Sequence, residues 1–401
     1  MSLKTLMFGW EYPPKHCGGL GVACQGIVRG LLHHGAEVTL VLPHDESVEP
    51  GATIVSAQDL ADGVQVLAVP SAIHPYDSVE SYADRMVSRS GSIELYGAGL
   101  GEAVERYTAV ASELTKNIST DIVHTHDWMT LEAGLRAARR HRKPLVAHVH
   151  ATELDRTEFK PNDWILRREV SGLMKADHVI AVSGYTKALL VREYGIDEEK
   201  ISILHNGTSE SPTQTYAIQD VDNHPLVLFL GRLTVQKGPM YFLKAAKTVL
   251  KYRPDVRFVV AGDGYLLPQL INQSIDCGLQ DAMIFAGKVT SDEAKALYQQ
   301  ASCFVMPSVS EPFGLVALEA ITHGAPVILS RQSGASEVVK NALTVDFWDT
   351  DRMADCILTV LREPSLTTAM RRATPRILSG LTWHGQGRRL INIYQDVRRD
   401  F

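Results

Sequence analysis

The sequence has no apolar run that approaches the roughly 18 residues a membrane-spanning helix needs. Its first ten residues also lack the longer apolar core of a secretory signal peptide, because the short apolar stretch there runs straight into Glu11. The five cysteines are scattered over 401 residues and form no Cys-x-x-Cys pair, which disfavours a zinc ribbon or a disulfide framework. These absences favour a reduced, cytoplasmic enzyme.

The chain also has no excess of basic residues. Lysine and arginine number 40 against 46 acidic residues, which gives a formal net charge of −6. Binding to nucleic acid relies on basic residues that neutralise phosphates, so we expect no nucleic-acid partner. The apolar share of 45 % and the charged share of 21 % are typical of a globular protein. At about 150 residues per domain, the length predicts two large domains.

Short β-branched or apolar runs alternate with longer segments of helical periodicity along the chain. Such alternation predicts parallel β-α-β units with right-handed crossovers. The strands predicted in the first half are Lys4–Phe8, Val38–Leu42, Val64–Val69, Asp121–His124, Leu145–His148, His178–Val182 and Ile201–Leu204. Those predicted in the second half are Leu226–Leu230, Arg257–Ala261, Met283–Phe285, Cys303–Met306, Val327–Leu329 and Leu343–Val345.

A polar stretch from Gly207 to His224 separates the two series of strands. It is rich in Ser, Thr, Asp and Asn and has no helical apolar period, as is typical of a linker. We therefore predict an N-terminal domain over residues 1–206, a second domain over residues 207–384 and an amphipathic C-terminal helix within residues 385–401. Ligands of such folds bind beyond the carboxyl ends of the strands, so the loops there are candidate sites.

One such loop follows the predicted strand Cys303–Met306. Pro312 and Gly314 mark a turn, and a helix is predicted to begin directly after it. The backbone amides of Phe313, Gly314 and Leu315 are then expected at the helix N-terminus, where they favour anions or hydroxyl groups.

Two acidic residues flank that turn. Glu311 precedes the helix, and Glu319 stands alone among apolar neighbours about one turn inside it. Both residues are candidates for contacting a ligand. The alternative is that Glu311 caps the helix dipole and that Glu319, which is costly to bury alone, pairs with a structural arginine.

A cationic loop follows the predicted strand Leu226–Leu230. Arg232 and Lys237 flank this loop, and Gly238 begins the next helix. Two cations at the carboxyl end of a strand can neutralise a diphosphate, and arginine supplies a fork of donors. The alternative is a pair of solvated loop charges. The segment lacks the Gly-x-x-x-x-Gly-Lys-Ser/Thr spacing of a P-loop.

Three glycines in the first half, Gly18, Gly19 and Gly21, stand where a helix is predicted to begin after the first strand. They allow a ligand to approach the backbone closely. Their spacing is not Gly-x-Gly-x-x-Gly, which disfavours a nicotinamide dinucleotide.

Two predicted strands of the first half end in pairs of histidines. His124 and His126 precede Asp127, and His148 and His150 precede Ala-Thr-Glu. Residues i and i+2 share one face of a strand, so the members of each pair lie on the same side. Such a group can in principle hold a metal, but no metal-binding spacing such as His-Glu-x-x-His accompanies it. We therefore expect hydrogen-bonded histidines and no metal.

The segments EPFGLVALE, GRLTVQKG and EYPPKHCGGLG together resemble the nucleotide-sugar-dependent retaining glycosyltransferases of GT-B fold, the group that includes glycogen and starch synthases. The segments HTHDW, HVHATE and LYGAGLGEAVERYTAVA add to a resemblance that covers nearly the whole chain. It implies an α/β fold of two Rossmann-like, doubly wound domains that face a central cleft. It also implies that the C-terminal helix packs back on the N-terminal domain.

The resemblance also implies roles for individual residues. Arg232 and Lys237 would hold the donor diphosphate, while Glu311 and His150 would stabilise the sugar, and these four form the implied catalytic set. The other implied donor-binding positions are Gly19 near the diphosphate, Gly262, Tyr265 and Val289 near the nucleobase, Phe313, Gly314 and Leu315 at the phosphate or sugar, and Glu319 at the ribose. The implied acceptor-side positions are Glu11, Lys15, His16 and Asp127. Glycogen synthases carry a lysine at the position of His16, and here Lys15 stands one position earlier.

The activity implied is transfer of a hexose, which we expect to be glucose, from ADP- or UDP-glucose to an α-glucan with retention of the α-configuration. No Asp-x-Asp on a strand end marks a divalent metal site, so neither a metal nor another cofactor is expected. The alternatives are a lipid or small-molecule acceptor, a nucleotide-sugar epimerase and an inactive sugar-binding regulator. We do not expect membrane association, because the basic cluster is better explained as the charged end of a helix than as a membrane contact. That cluster is Arg136, Arg139, Arg140, Arg142 and Lys143.

Overall fold

A computed structural model of the chain describes residues 2–13, 18–44, 54–55, 64–70, 100–208 and 224–401. The chain divides into two compact units. Unit 1 comprises Met1–Leu154, Pro161–Gly207 and Leu381–Phe401, and unit 2 comprises Asp155–Lys160 and Thr208–Gly380. Lys15, His16 and residues 95–99 of the LYGAGLGEAVERYTAVA segment lie outside the described residues.

Strands and helices alternate along both units, which confirms the predicted β-α-β pattern. The strands are β1 (Lys4–Phe8), β2 (Glu37–His44), β3 (Ile54–Val55), β4 (Val64–Pro70), β5 (Ile122–His126), β6 (Leu145–Val149), β7 (His178–Ala181), β8 (Ile201–Ile203), β9 (Leu226–Leu230), β10 (Arg257–Ala261), β11 (Met283–Gly287), β12 (Cys303–Met306), β13 (Val327–Ser330) and β14 (Leu343–Val345). The helices are α1 (Gly19–His33), α2 (Leu100–Leu114), α3 (Trp128–His141), α4 (Glu153–Arg156), α5 (Asp163–Lys175), α6 (Gly184–Tyr194), α7 (Pro239–Leu250), α8 (Leu267–Asp276), α9 (Ser291–Gln300), α10 (Leu315–Thr322), α11 (Thr350–Arg362), α12 (Pro364–Ser379) and α13 (Trp383–Asp400).

Unit 1 is built on an eight-stranded sheet with the strand order β3-β4-β2-β1-β5-β6-β7-β8. Its neighbouring strands are parallel, except that β3 runs antiparallel to β4. Every residue of β5 and β6 is buried, as expected of central parallel strands covered on both faces. The strand order reverses between β1 and β5, so the loops that follow these two strands lie at a topological switch point.

Unit 2 is built on a six-stranded parallel sheet with the order β11-β10-β9-β12-β13-β14. Counted within the unit, this is the 3-2-1-4-5-6 order of a doubly wound nucleotide-binding fold. The order reverses between β9 and β12. The loops after these strands therefore open side by side at the carboxyl edge of the sheet, where such folds bind their ligands.

The C-terminal helix α13 belongs to unit 1 and packs on α1. A Cβ atom added to Gly30 would lie 2.4 Å from the carbonyl oxygen of Trp383 and 3.0 Å from Cα of Gly387, so only glycine lets the two helices approach this closely. Leu390 and Tyr394 of the same helix are fully buried in the core of unit 1. Among the described residues, no helix has both the length and the apolar character that crossing a membrane requires.

Candidate active site

The two switch-point loops of unit 2 bring a predicted cation and a predicted acid into direct contact. Nζ of Lys237, after β9, donates to Oε2 of Glu311, after β12, at 2.6 Å. The Ser308 hydroxyl donates to the same carboxylate oxygen at 3.2 Å. The side chain of Glu311 is only 6 % exposed and that of Lys237 is 20 % exposed, so the pair is largely shielded from water.

A glycine allows these loops to meet. Gly238, with φ of 67°, stands directly before α7, and a Cβ atom there would lie 2.1 Å from the carbonyl oxygen of Pro307. The backbone amide of Val309 donates to the carbonyl of Gln236 at 2.9 Å, which joins the loops a second time. The position of Lys237 beside Glu311 is therefore fixed by backbone contacts as well as by charge.

Arg232 lies on the same loop as Lys237 and is exposed. The loop after β10 packs against the backbone of Gly231, next to Arg232. Gly262 of that loop has a φ of 130°, and a Cβ atom there would lie 1.9 Å from the carbonyl oxygen of Gly231. The Tyr265 hydroxyl accepts from the amide of Val235 at 3.0 Å, and burial raises the pKa of Tyr265. Two predicted nucleobase positions therefore border the cationic loop.

Val289 is the third predicted nucleobase position. It follows the edge strand β11 and is half-buried. The last residue of β11, Gly287, accepts from the amide of Gly262 at 2.7 Å, so the β11 loop begins beside the β10 loop. All three predicted nucleobase positions thus stand on adjacent loops at the carboxyl edge of one sheet.

The turn before α10 has the backbone that its sequence predicts. Gly314 is the N-terminal cap with φ of 100°, and a Cβ atom there would meet Cε of Met306 at 2.9 Å. The carbonyl of the buried Phe313 accepts from the amide of Ala335 at 2.6 Å, which ties the turn to the loop after β13. Leu315, the first residue of the helix, is half-buried.

Glu319 is exposed although the helix around it is mostly buried. The hydroxyl of the buried Tyr298, on α9, donates to Oε2 of Glu319 at 3.2 Å. Burial, followed by the charge of Glu319, holds the pKa of Tyr298 well above its ordinary value, so the phenol stays a donor. An accessible carboxylate held by a rigid phenol can accept hydrogen bonds from ligand hydroxyls.

We expect Tyr298→Phe to raise the KM for the sugar donor about 3- to 10-fold with little change in kcat, since one hydrogen bond contributes about 0.5–1.5 kcal/mol. The resemblance implies that Glu319 binds the ribose, and the variant removes a hydrogen bond that holds its carboxylate. Initial rates at varied donor concentration measure the effect, and Tyr252→Phe, at a tyrosine that is 69 % exposed in the same unit, is the matched control. An unchanged KM would show that Tyr298 does not orient Glu319.

In unit 1, Glu11 holds the start of α1. Its side chain is buried, and Oε2 accepts from the amides of Gly18 at 3.1 Å and Gly21 at 3.2 Å. A carboxylate at this place satisfies amides that the helix leaves open and interacts favourably with the helix dipole. The resemblance implies an acceptor-side place for Glu11, and the sequence does not predict this capping contact. Gly19 is exposed at the first position of the helix.

Asp127 joins the loop after β5 to the loop after β6. Its buried carboxylate oxygen Oδ1 accepts from the backbone amides of His150 at 2.7 Å and Ala151 at 3.3 Å. Asp127 itself has φ of 56° and ψ of 175°, a backbone conformation that residues other than glycine rarely adopt. The fold therefore accepts local strain at the residue that fixes the backbone of His150.

Four histidines stand together at the ends of β5 and β6. His126 and His148 are direct neighbours in the parallel register, and Nδ1 of His126 lies 2.8 Å from Nε2 of His150. Nδ1 of His124 lies 2.6 Å from the hydroxyl of Tyr394 on α13. The predicted hydrogen bonding of these histidines is confirmed for His126, His150 and His124.

Burial governs the charge state of this cluster. It lowers the pKa of His124 to about 3 and those of His126 and His148 well below the ordinary value, with neighbouring histidines adding to the shift. The three rings are therefore neutral near pH 7.

Two family models together cover most of the chain. "Glycosyltransferase Family 4" matches residues 17–212, and "Glycosyl transferases group 1" matches residues 214–376. The first falls on the part of the chain that holds Asp127 and His150. The second falls on the part that holds Lys237 and Glu311.

Named relatives extend this similarity over the whole length. The glycogen synthase of Mycobacterium tuberculosis is 26 % identical over 99 % of this chain and 95 % of its own. The solved sucrose-phosphate synthase of Thermosynechococcus elongatus has a TM-score of 0.77 at 18 % identity and covers 100 % of both chains. HepE of Anabaena, solved in complex with UDP-glucose, has a TM-score of 0.73 at 18 % identity and covers 98 % of this chain and 100 % of its own.

Proposed function

Because the chain belongs to the glycosyltransferases of GT-B fold in which a family 4 domain precedes a group 1 domain, we propose that it transfers glucose from ADP- or UDP-glucose to an α-glucan with retention of the α-configuration. The observation that carries the proposal is the shielded contact of Lys237 with Glu311 at the switch point of unit 2. It combines a cation suited to a diphosphate with an acid suited to a sugar.

The leaving diphosphate is the first charge that such a reaction must stabilise. Arg232 and Lys237 supply positive charge on one loop, and the amides of Gly314 and Leu315 add the positive end of the α10 dipole. Lys237 and the two amides are held by the fold before the donor arrives, so little reorganisation of these groups is needed as the bond to the leaving group breaks.

The sugar that remains develops positive charge at its anomeric carbon. In the proposed arrangement, the Glu311 carboxylate lies near this carbon, and Lys237 and Ser308 fix the orientation of that carboxylate. His150 contacts the donor sugar, and Glu319 accepts hydrogen bonds from the ribose hydroxyls. Departure of the diphosphate and attack by the acceptor hydroxyl occur on the same face of the sugar, which retains the configuration.

The proposed acceptor, an α-glucan, rests on separate support. The relative named glycogen synthase aligns over 99 % of this chain, and the opening loop and the HTHDW segment resemble those of glycogen synthases. One observation speaks against the glucan: His16 occupies the position of the lysine found in glycogen synthases, so the alternative is a lipid or small-molecule acceptor.

Incubation with ADP-glucose or UDP-glucose and maltoheptaose is expected to lengthen the oligosaccharide through a new α-linkage. Anomeric proton couplings in the NMR spectrum of the product measure its configuration. A β-linkage would contradict retention and with it the proposed mechanism. An α-linkage formed only on other acceptors, or only from other donor sugars, would be consistent with the retaining mechanism. It would contradict the proposed transfer of glucose to an α-glucan.

Turnover is expected to persist in excess EDTA. Arg232 and Lys237 supply the counter-charges for the diphosphate, and neither Asp-x-Asp of the sequence, Asp220-Val221-Asp222 or Asp349-Thr350-Asp351, stands at the end of a predicted strand. Initial rates with and without the chelator test this expectation. Complete loss of activity that magnesium or manganese restores would show that the donor is bound through a metal.

A further inference from the structure

Three buried histidines in unit 1 bring their ring nitrogens close together. His124, on β5, is 0 % exposed, His126 on the same strand is 0 % exposed, and His148 on β6 is 1 % exposed. One ring nitrogen from each of the three lies within 4.8 Å of the others. The proposed transfer reaction uses none of these three side chains directly.

The cluster leaves several nitrogens without a hydrogen bond. Within the part of the chain that the structure describes, Nε2 of His124, Nε2 of His126 and both ring nitrogens of His148 have no hydrogen-bond partner. Buried polar atoms are normally paired, because leaving one unpaired forfeits its hydration without compensation. Four such atoms in one small volume indicate a ligand that satisfies several at once.

The other nitrogens of the two β5 histidines are already engaged. Nδ1 of His124 contacts the Tyr394 hydroxyl at 2.6 Å, and Nδ1 of His126 contacts Nε2 of His150 at 2.8 Å. Metal-binding histidines characteristically donate from one ring nitrogen to a protein partner while the other binds the metal. Both rings show this division: Nδ1 has a protein partner, and Nε2 has none and is open to a metal.

From this arrangement we propose that His124, His126 and His148 bind one transition-metal dication of the zinc class within unit 1. Neutral imidazole is a preferred ligand of such ions, whereas magnesium and calcium take oxygen ligands, and this group supplies none. Tetrahedral coordination at about 2.0–2.1 Å places ligand nitrogens roughly 3.4 Å apart, so modest rotation of the rings brings three of the four ligands onto the ion, and a water takes the fourth position.

The ion has a structural consequence that reaches the candidate active site. When Nε2 of His126 binds the metal, Nδ1 carries the proton and donates to Nε2 of His150, which fixes the tautomer of His150. Through His124 and Tyr394 the same ion ties α13 to the central sheet. The ion thus supports the fold of unit 1 and acts on the transfer reaction only by positioning His150. Because its three ligands are fully buried, we expect it to stay bound during an assay in excess EDTA.

Metal content of the purified full-length protein tests the proposal. After expression in zinc-supplemented medium and exhaustive dialysis, we expect about one zinc per chain by plasma mass spectrometry, and His148→Gln is expected to lower this to under about a tenth. His178→Gln is the matched control, because His178 is a half-buried histidine of unit 1 that contacts the Ser202 hydroxyl outside the cluster. It should keep the full zinc content.

X-ray absorption of the zinc-loaded wild-type protein gives a second readout that does not depend on folding of a variant. We expect a shell of nitrogen ligands at about 2.0–2.1 Å. Wild-type protein with less than about a tenth of an equivalent of zinc would overturn the proposal and assign the open nitrogens to buried water. A sulfur ligand shell, or full zinc retention in both His124→Gln and His148→Gln, would overturn it as well.

Discussion

Replacing Lys237 with alanine is expected to lower kcat/KM about 100- to 1,000-fold, the usual effect of removing one preorganised electrostatic group from an active site. The ammonium contacts Glu311 at 2.6 Å and stands on the loop proposed to hold the diphosphate, so the variant loses charge at the leaving group and the group that orients the carboxylate. Steady-state rates with saturating acceptor measure the loss.

A second variant and a control separate this effect from general damage. Arg232→Ala, on the same loop, is expected to lower kcat/KM by a similar factor. In this variant the only cause is the loss of positive charge at the diphosphate. Lys247→Ala removes an exposed lysine from α7 in the same unit and should leave the rate unchanged. Wild-type kcat/KM in either loop variant, with the thermal unfolding curve also unchanged, would contradict the diphosphate assignment.

The strands were the most predictable part of the fold. β9, β10, β12 and β14 begin and end at the predicted residues, because a strand buried on both faces reads locally as a short run of apolar, often β-branched residues. The two-residue strand β3 and the long helix α12 were not predicted. α12 carries Pro375 in its interior, a residue that ordinarily argues against a helix.

The candidate site was predictable where its residues share one motif. Arg232 and Lys237 are candidates because they follow one predicted strand, and Glu311 and Glu319 because they flank the turn after another. Their roles are implied by the family resemblance. That Lys237 and Glu311 touch depends on β9 lying beside β12, which comes from the order of strands in the sheet.

The partners that orient these groups come from distant parts of the chain. Tyr298 reaches Glu319 from another helix, and Tyr394 reaches His124 from the C-terminal helix. The contact of His126 with His150 depends on the register that pairs His126 with His148. Local periodicity predicts neither how helices pack nor which residues of two strands are paired. These contacts therefore cannot be predicted from the sequence pattern and are seen only in the structure.

Substitution of Asp127 is expected to cause the second large loss of activity. The variants distinguish whether Asp127 acts through its negative charge or by holding the backbone of the His150 loop. If the carboxylate mainly fixes the His150 loop, Asp127→Ala should lower kcat about 100-fold, because a displacement of about 1 Å at a reacting group has that cost. The Ala variant leaves the amides of His150 and Ala151 without their acceptor. In Asp127→Asn the side-chain oxygen still accepts from both amides, so most of kcat should remain.

Comparison of the two variants therefore decides what Asp127 does. Asp127→Gly is the informative control, because it also removes the carboxylate. Glycine adopts φ of 56° and ψ of 175° more easily than any other residue, so a loss of activity in this variant cannot be attributed to backbone strain. We expect the Gly and Ala variants to lose kcat to a similar extent, with KM for the donor changed less, and the Asn variant to stay within about tenfold of wild type. Rates at saturating donor, measured on protein whose thermal unfolding has been checked, give these values. If Asp127→Asn is as inactive as Asp127→Ala, the negative charge itself is required, and Asp127 then acts on the acceptor or the transition state rather than by positioning His150.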